Sequence, residues 1–123
     1  MNVIDSSVWL EYFSRGPNAE AFIAIIEDAE ASVVPTICMH EVYKRLKCLH
    51  GSSAANEAVG TMLLGTPIPL STEISLRAAD LSLQYKLPTA DSIILATAYV
   101  TESTLWTQDS HFEDVPGVRY FKK

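Results

Sequence analysis

Residues 87–106 read LPTADSIILATAYVTESTLW and contain the two kinds of segment that decide the fold. Residues 90–101 are apolar on nearly every side, which is typical of a helix buried inside a domain. Thr89 precedes this helix as a candidate N-cap. A short apolar run at 104–106 follows at once and is typical of a buried strand. The stretch therefore predicts a buried helix that leads into a strand.

The same alternation of helix and strand extends along the rest of the chain. Further strands are predicted at 3–4, 32–35, 67–70 and 118–121, and helices at 8–13, 19–30, 36–50, 52–64 and 71–85, with Thr36 as an N-cap and Leu49 on a buried stripe. Short strands that alternate with helices of this length favour a parallel sheet. The predicted fold class is α/β, a three-layer α/β/α domain around a central, mainly parallel five-stranded sheet.

Length and composition indicate an ordinary globular protein with one domain, residues 1–123. Hydrophobic residues make up 48% of the chain and charged residues 20%, and no repeat or linker divides it. The longest apolar run has about nine residues, whereas a membrane span needs roughly 20. The first residues, MNVID, do not resemble a secretory signal, so we expect a cytoplasmic protein that contacts no membrane.

The net charge of −6 argues against a protein that binds nucleic acid over its whole surface. It does not exclude an enzyme that acts on nucleic acid, because a bound divalent cation reverses the local charge of an acidic site.

The two cysteines do not indicate a disulfide or a zinc site. Cys38 and Cys48 fall in one predicted helix, about 15 Å apart at 1.5 Å per residue. Each is followed two residues later by a histidine, but positions i and i+2 of a helix point to nearly opposite sides. We interpret each pair as a small core residue and a surface residue.

Four carboxylates occupy equivalent places in the predicted fold. Asp5 ends the first strand, Glu41 lies early in the helix after the second strand, Asp91 lies in the first turn of the buried helix, and Asp109 follows the fourth strand. The carboxyl ends of parallel strands and the amino ends of the following helices share one edge of the sheet. Each acid also has a structural interpretation as a helix cap, a turn residue or a partner of the helix dipole.

Four carboxylates in one cleft repel one another unless cations intervene, and oxygen ligands suit Mg²⁺ or Mn²⁺. Such ions neutralise phosphate charge and lower the pKa of water, which permits phosphodiester hydrolysis without a protein nucleophile. The pattern therefore predicts a metal-dependent site for phosphate chemistry.

Four segments in this order give the chain a resemblance to PIN-domain ribonucleases, in particular to VapC-like toxins of toxin–antitoxin pairs. They are VIDSSVW at 3–9, HEV at 40–42, LPTADSIILATA at 87–98 and LWTQDSHF at 105–112. The resemblance implies a metal-dependent endoribonuclease whose catalytic and metal-binding residues are Asp5, Glu41, Asp91 and Asp109. Asp5 and Asp91 would bind Mg²⁺ or Mn²⁺ directly, and the other two acids directly or through water.

The resemblance also suggests roles for residues around the acids. Ser6 and Thr107 match positions where the family often has a hydroxyl beside the acids, although either residue also suits a helix cap or a turn. His111 is interpreted as structural rather than as a general base, and Glu11 faces either the cleft or solvent.

Lys44, Arg45 and Lys47 follow Glu41 on the same predicted helix and are candidates to hold the RNA backbone, or else form a solvated helix face.

Partners follow from the family alone. VapC-like proteins are usually inhibited by an antitoxin that covers the cleft, and they are usually homodimers. Trp9, Tyr12 and Phe13 are candidates for the dimer interface or for the core.

Two other functions remain open on the sequence. A phospho-acceptor receiver domain has a similar length and a clustered-aspartate Mg²⁺ site, but here Asp5 is followed by two serines rather than by a second acid. A PIN-like module that binds RNA or protein without cutting is the other alternative, and the intact set of four acids disfavours it.

Overall fold

The computed structural model describes all residues, 1–123, and contains one five-stranded sheet with six helices. The strands are β1 (Asn2–Ile4), β2 (Ser32–Pro35), β3 (Thr66–Ile68), β4 (Thr104–Thr107) and β5 (Val118–Tyr120). The helices are α1 (Ser6–Phe13), α2 (Ala19–Glu27), α3 (Thr36–His50), α4 (Ser52–Met62), α5 (Thr72–Tyr85) and α6 (Thr89–Val100). Short 3₁₀ turns cover Ala29–Ala31 and Ser110–Phe112.

The strands lie in the order β3-β2-β1-β4-β5, and every neighbouring pair is parallel. The predicted α/β class and the parallel five-stranded sheet are therefore confirmed. The chain builds outward from β1 to β3, then returns to the other side of β1 for β4 and β5. The strand order thus reverses between β1 and β4, and ligands of open α/β sheets bind beside such a reversal, at the carboxyl ends of the strands.

The core is a single cluster of 25 buried hydrophobic residues that the sheet shares with its helices. Helix α6 contacts β1, β2 and β4 and pairs with α5, while α1 packs on α2 and α3. Ile94, Leu95, Ala96 and Ala98 are fully buried, as the apolar sequence of this helix predicts. No helix of the chain is both long enough and apolar enough to cross a membrane.

Several predicted helix ends are wrong. Helix α2 ends at Glu27, because Asp28 leaves the helical conformation with ψ of 70° and a 3₁₀ turn then leads into β2. Thr36 and Thr89 are first helical residues rather than caps, since each helix begins directly after an extended proline, Pro35 or Pro88. Helix α4 ends at Met62, two residues before its predicted end. Strand β3 ends at Ile68 rather than at residue 70, and strand β5 ends at Tyr120 rather than at residue 121.

Two predictions about burial are also wrong. Leu49 and Cys48 are exposed because the whole last turn of α3, residues 47–50, extends beyond the core. Of the three aromatic residues that are candidates for either the dimer interface or the core, Trp9 belongs to the core, where it is buried and stacks on Phe13. Tyr12 and Phe13 are only partly buried.

Candidate metal centre

The candidate site lies at the carboxyl ends of β1 and β4, where the strand order reverses. Asp5 directly follows β1, and its backbone N–H donates to the carbonyl of Trp106 at 2.9 Å. This bond continues the parallel ladder by one residue, so that Asp5 lies beside Thr107, the last residue of β4. The sheet itself therefore brings the two ends of the sequence together.

Asp5 is 4% exposed and is held through one of its two carboxylate oxygens. Its Oδ2 accepts hydrogen bonds from Ser7 Oγ at 2.7 Å, from Thr107 Oγ1 at 2.8 Å and from the Ser7 backbone N–H at 3.4 Å, and no side-chain hydrogen bond uses Oδ1. Burial raises the pKa of Asp5; the bonds from Ser7 and Thr107 oppose this rise, and the charge of Glu41 adds to it. The carboxylate thus has one fixed oxygen and one available for a ligand.

Glu41 lies in the second turn of α3 and is held by Ser6, the first residue of α1. Ser6 Oγ donates to Glu41 Oε1 at 2.6 Å, a short bond typical of a hydroxyl and a carboxylate. The two hydroxyl residues picked out by the sequence, Ser6 and Thr107, therefore both lie against acids of the predicted set.

Asp91 and Asp109 meet on the outer side of the site around His111. The His111 ring nitrogen Nδ1 lies 3.1 Å from Asp91 Oδ2 and 3.0 Å from Asp109 Oδ1. Burial, followed by the charges of Asp109 and Asp5, raises the pKa of Asp91 to about 7, and contact with His111 opposes this rise. The pKa of His111 is raised, mainly by the charge of Asp109.

The donor set fits a divalent cation. Asp91, Asp109 and His111 have donor atoms within 4.8 Å of one another. Asp5 and Glu41 lie outside this group, although the charge of Asp5 raises the pKa of Asp91 and the charge of Glu41 raises that of Asp5. The only ion pairs in the chain are those of His111, so that neither lysine nor arginine neutralises these acids. Carboxylate oxygens are the ligands that Mg²⁺ and Mn²⁺ prefer.

Sequence reasoning missed the hydrogen-bond network beneath Asp5. Ser7 Oγ donates to Asp5 and accepts from the Gln108 backbone N–H at 3.0 Å, and buried Gln108 accepts from Asn18 Nδ2 at 2.7 Å. The available signal was the polar pair Thr107–Gln108 at the end of a buried strand, where side chains without hydrogen-bond partners are disfavoured.

Glu11 does not belong to the site. Its Oε2 accepts from the Asn18 backbone N–H at 2.8 Å, and its carboxylate lies against Gly16 so closely that a Cβ there would be 1.9 Å from Oε1. Glu11 therefore holds the turn between α1 and α2, rather than facing the cleft or solvent.

The three basic residues of α3 do not all border the acids. Lys44 and Arg45 line a cavity of about 490 Å³ together with Glu41, and Ala90 of α6 contributes to it. Lys47 does not line this cavity; its Nζ donates to Tyr43 OH at 3.4 Å and lies 5.3 Å from the centre of the Tyr43 ring. Two of the three candidates therefore lie beside the site.

Comparisons with solved structures find the same fold over the full length of the chain. A toxin–antitoxin complex from Klebsiella pneumoniae contains a chain that is 25% identical, with complete coverage of both chains and a TM-score of 0.84. VapC20 of Mycobacterium tuberculosis, described as a Sarcin-Ricin loop cleaving toxin, is 13% identical over 94% of this chain and 95% of its own, with a TM-score of 0.79. FitAcB of Neisseria gonorrhoeae is 20% identical over 99% of this chain and 97% of its own, with a TM-score of 0.76.

No curated protein matches the chain by sequence. The family model described as PIN domain, in contrast, matches residues 3–118, from within β1 to the start of β5. This range contains all four acids of the candidate site. Because the match is to the PIN domain, the alternative of a receiver domain is excluded. The chain belongs to the PIN domain family.

Proposed function

We propose that the chain is a metal-dependent endoribonuclease and the toxin of a toxin–antitoxin pair. The observation that carries this proposal is the placement of four carboxylates around the β1/β4 reversal, with carboxylate oxygens of Asp91 and Asp109 within 4.8 Å of each other and no lysine or arginine in an ion pair with any of the four. The Klebsiella pneumoniae complex and the RNA-cleaving VapC20 support the toxin and nuclease parts of the proposal.

Asp5 and Asp91 are the proposed direct ligands of Mg²⁺ or Mn²⁺, and Glu41 and Asp109 complete the site directly or through water. Such an ion, when bound, supplies neutralisation of phosphate charge and a lower pKa of water. Ser7 and Thr107 fix Oδ2 of Asp5, which leaves Oδ1 to face the ligand in a defined orientation. Ser6 does the same for Glu41 through Oε1.

Lys44 and Arg45 provide the positive charge that an RNA backbone requires near an acidic site. Both line the cavity that Glu41 borders, so that a phosphate bound by them lies next to the Glu41 carboxylate. Their positive charge is local, because the chain as a whole has a formal net charge of −6.

An antitoxin is the proposed protein partner, and a homodimer is the proposed assembly. Four of the similar solved structures are described as a toxin–antitoxin complex or as VapBC. Tyr12 and Phe13 line a second cavity, of about 860 Å³, between the α1–α2 segment and helices α3 and α4. Aromatic residues are enriched at protein interfaces. We therefore propose that the second copy of the chain in the homodimer contacts this region.

Cleavage of a mixed pool of structured RNA by the purified, inhibitor-free protein tests the function. We expect wild-type protein to cut RNA with Mg²⁺ or Mn²⁺ and not with EDTA, and Asp91→Asn to cut at no detectable rate with either metal. Glu113→Gln is the matched control, because Glu113 is an exposed acid in the same loop as Asp109 and should retain full activity. Folded wild-type protein that binds RNA without cutting it would instead indicate a non-cleaving binding module.

A further inference from the structure

His111 has a position that its structural interpretation does not account for. It lies in the 3₁₀ turn after β4, and its backbone N–H donates to Asp109 Oδ1 at 2.9 Å, which fixes the turn without the ring. The side chain is nevertheless 54% exposed and directs Nδ1 between Asp91 and Asp109, rather than into the core. Packing alone therefore gives no reason for an imidazole at this position.

Two of the three spacings among the donor atoms, those from His111 Nδ1, match the spacing of neighbouring ligands of one ion. Nδ1 lies 3.1 Å from Asp91 Oδ2 and 3.0 Å from Asp109 Oδ1, and donor atoms of all three residues lie within 4.8 Å of one another. Adjacent ligands of an octahedral ion with bond lengths of about 2.1 Å are about 3.0 Å apart. A cation that displaces the ring proton from Nδ1 can therefore contact all three side chains after only small adjustments.

We propose that His111 Nδ1 is a metal ligand together with Asp91 and Asp109, which makes this a mixed nitrogen–oxygen centre that favours Mn²⁺ over Mg²⁺. The inference rests on the proposed metal-dependent function and specifies the ion of that site. Mg²⁺ prefers oxygen ligands and retains its waters, whereas first-row transition ions also accept imidazole nitrogen. The four carboxylates by themselves provide no such discrimination.

Pulsed electron paramagnetic resonance of the Mn²⁺-loaded, tag-free protein tests the ligand directly. We expect wild-type protein to show the nitrogen-14 modulation of a coordinated imidazole, and His111→Gln to bind Mn²⁺ without it. His40→Gln is the matched control, because His40 is an exposed histidine that lines the cavity next to Glu41, and this variant should keep the signal. Loss of the signal in His40→Gln, or its absence from wild-type protein that binds Mn²⁺, would overturn the assignment.

Competition titrations of Mn²⁺ and Mg²⁺ provide a second readout that does not depend on activity. Loss of a ligand should lower the Mn²⁺ affinity of His111→Gln at least about tenfold while the Mg²⁺ affinity changes less than about threefold. An equal loss for both ions would mean that the ring positions the acids and does not bind metal, which also overturns the inference. Whether or not His111 binds metal, RNA cleavage that depends on Asp91 would leave the proposed function intact. Absence of any metal binding would overturn both the proposed function and the assignment of His111.

Discussion

At the scale of single residues, the site depends on hydroxyl groups that orient carboxylates. Ser7 and Thr107 both donate to Asp5 Oδ2, and Ser6 donates to Glu41 Oε1. Each hydroxyl offers a donor without adding charge, so the acids keep the negative charge that a cation requires. The hydrogen bonds also compensate for part of the cost of burying Asp5.

Replacing Thr107 by valine should separate this role from simple packing. Thr107→Val keeps the shape of a fully buried side chain but removes the donor to Asp5 and the acceptor of the Asp109 N–H at 3.0 Å. We expect the free energy of unfolding to fall by about 1–3 kcal/mol, measured by urea denaturation. Thr104→Val on the same strand is the control, with an expected change of about 0.5 kcal/mol or less. Equal losses in the two variants would contradict the assigned role.

The raised pKa of Asp91 predicts how the metal-free protein responds to pH. In the folded state this pKa is about 7 instead of 3.8, so folding favours the protonated form. The stabilising contribution is therefore complete below pH 3.8 and is lost as the pH rises through about 7. In EDTA, urea unfolding should show a larger loss of stability between pH 5 and pH 8 for wild-type protein than for Asp91→Asn. The same loss in both proteins would contradict this prediction.

The positions of the four acids could be predicted from the sequence, but their contacts could not. Asp5 directly follows an apolar strand and Asp91 begins an apolar helix, and such positions meet at one edge of a parallel sheet. The bridging position of His111 depends on the 3₁₀ turn at Ser110–Phe112 and on the orientation of one ring. Neither the turn nor the rotamer leaves a signal in the pattern of apolar residues.

At the scale of elements, α3 presents two different faces near the site. One face carries Glu41, Lys44 and Arg45 along a shared cavity, while Lys47 interacts with Tyr43 on the neighbouring surface. The sequence treated the three basic residues alike because they follow one another closely. Lys44 and Arg45 lie three and four residues after Glu41 and therefore share its side of the helix, whereas Lys47 lies six residues after Glu41 and does not.

This separation predicts that the basic residues contribute unequally to RNA binding. In an Asp91→Asn background, which should keep the RNA intact, Lys44→Ala and Arg45→Ala should each lower the affinity for RNA. Each should also reduce the slope of log affinity against log salt by about 0.7, the value for one contact with single-stranded phosphate. Lys47→Ala is the matched control and should leave both quantities unchanged in anisotropy titrations. A loss for Lys47→Ala as large as the other two would show that the cavity does not define the RNA path.

Element boundaries were less predictable than element types, for local reasons. The periodic stripe of α2 continues through Ala29 in the sequence, but Asp28 leaves the helical conformation where the chain must turn toward β2. The stripe of α3 likewise continues to Leu49, although the core ends one turn earlier. The period of the apolar residues identifies the buried face of a helix, whereas tertiary contacts decide at which residue the helix or its buried part ends.

At the scale of the whole molecule, one hydrophobic cluster connects all parts of the sheet, which predicts unfolding as a single unit. Leu95 is fully buried in α6, and Leu95→Ala should lower the free energy of unfolding by about 2–5 kcal/mol. Trp9 reports on α1 and Trp106 on β4, so that fluorescence and far-ultraviolet circular dichroism should give coincident urea transitions in both proteins. Separate transitions would contradict the single-domain prediction.

The position of β1 in the middle of the sheet has a consequence for how the protein is made. The bond between Thr107 Oγ1 and Asp5 Oδ2 joins residues 102 positions apart. At about 5–20 residues per second, a ribosome adds Thr107 roughly 5–20 s after Asp5. A nascent chain therefore carries an incomplete set of acids for most of its synthesis, although it is held beside a messenger RNA throughout.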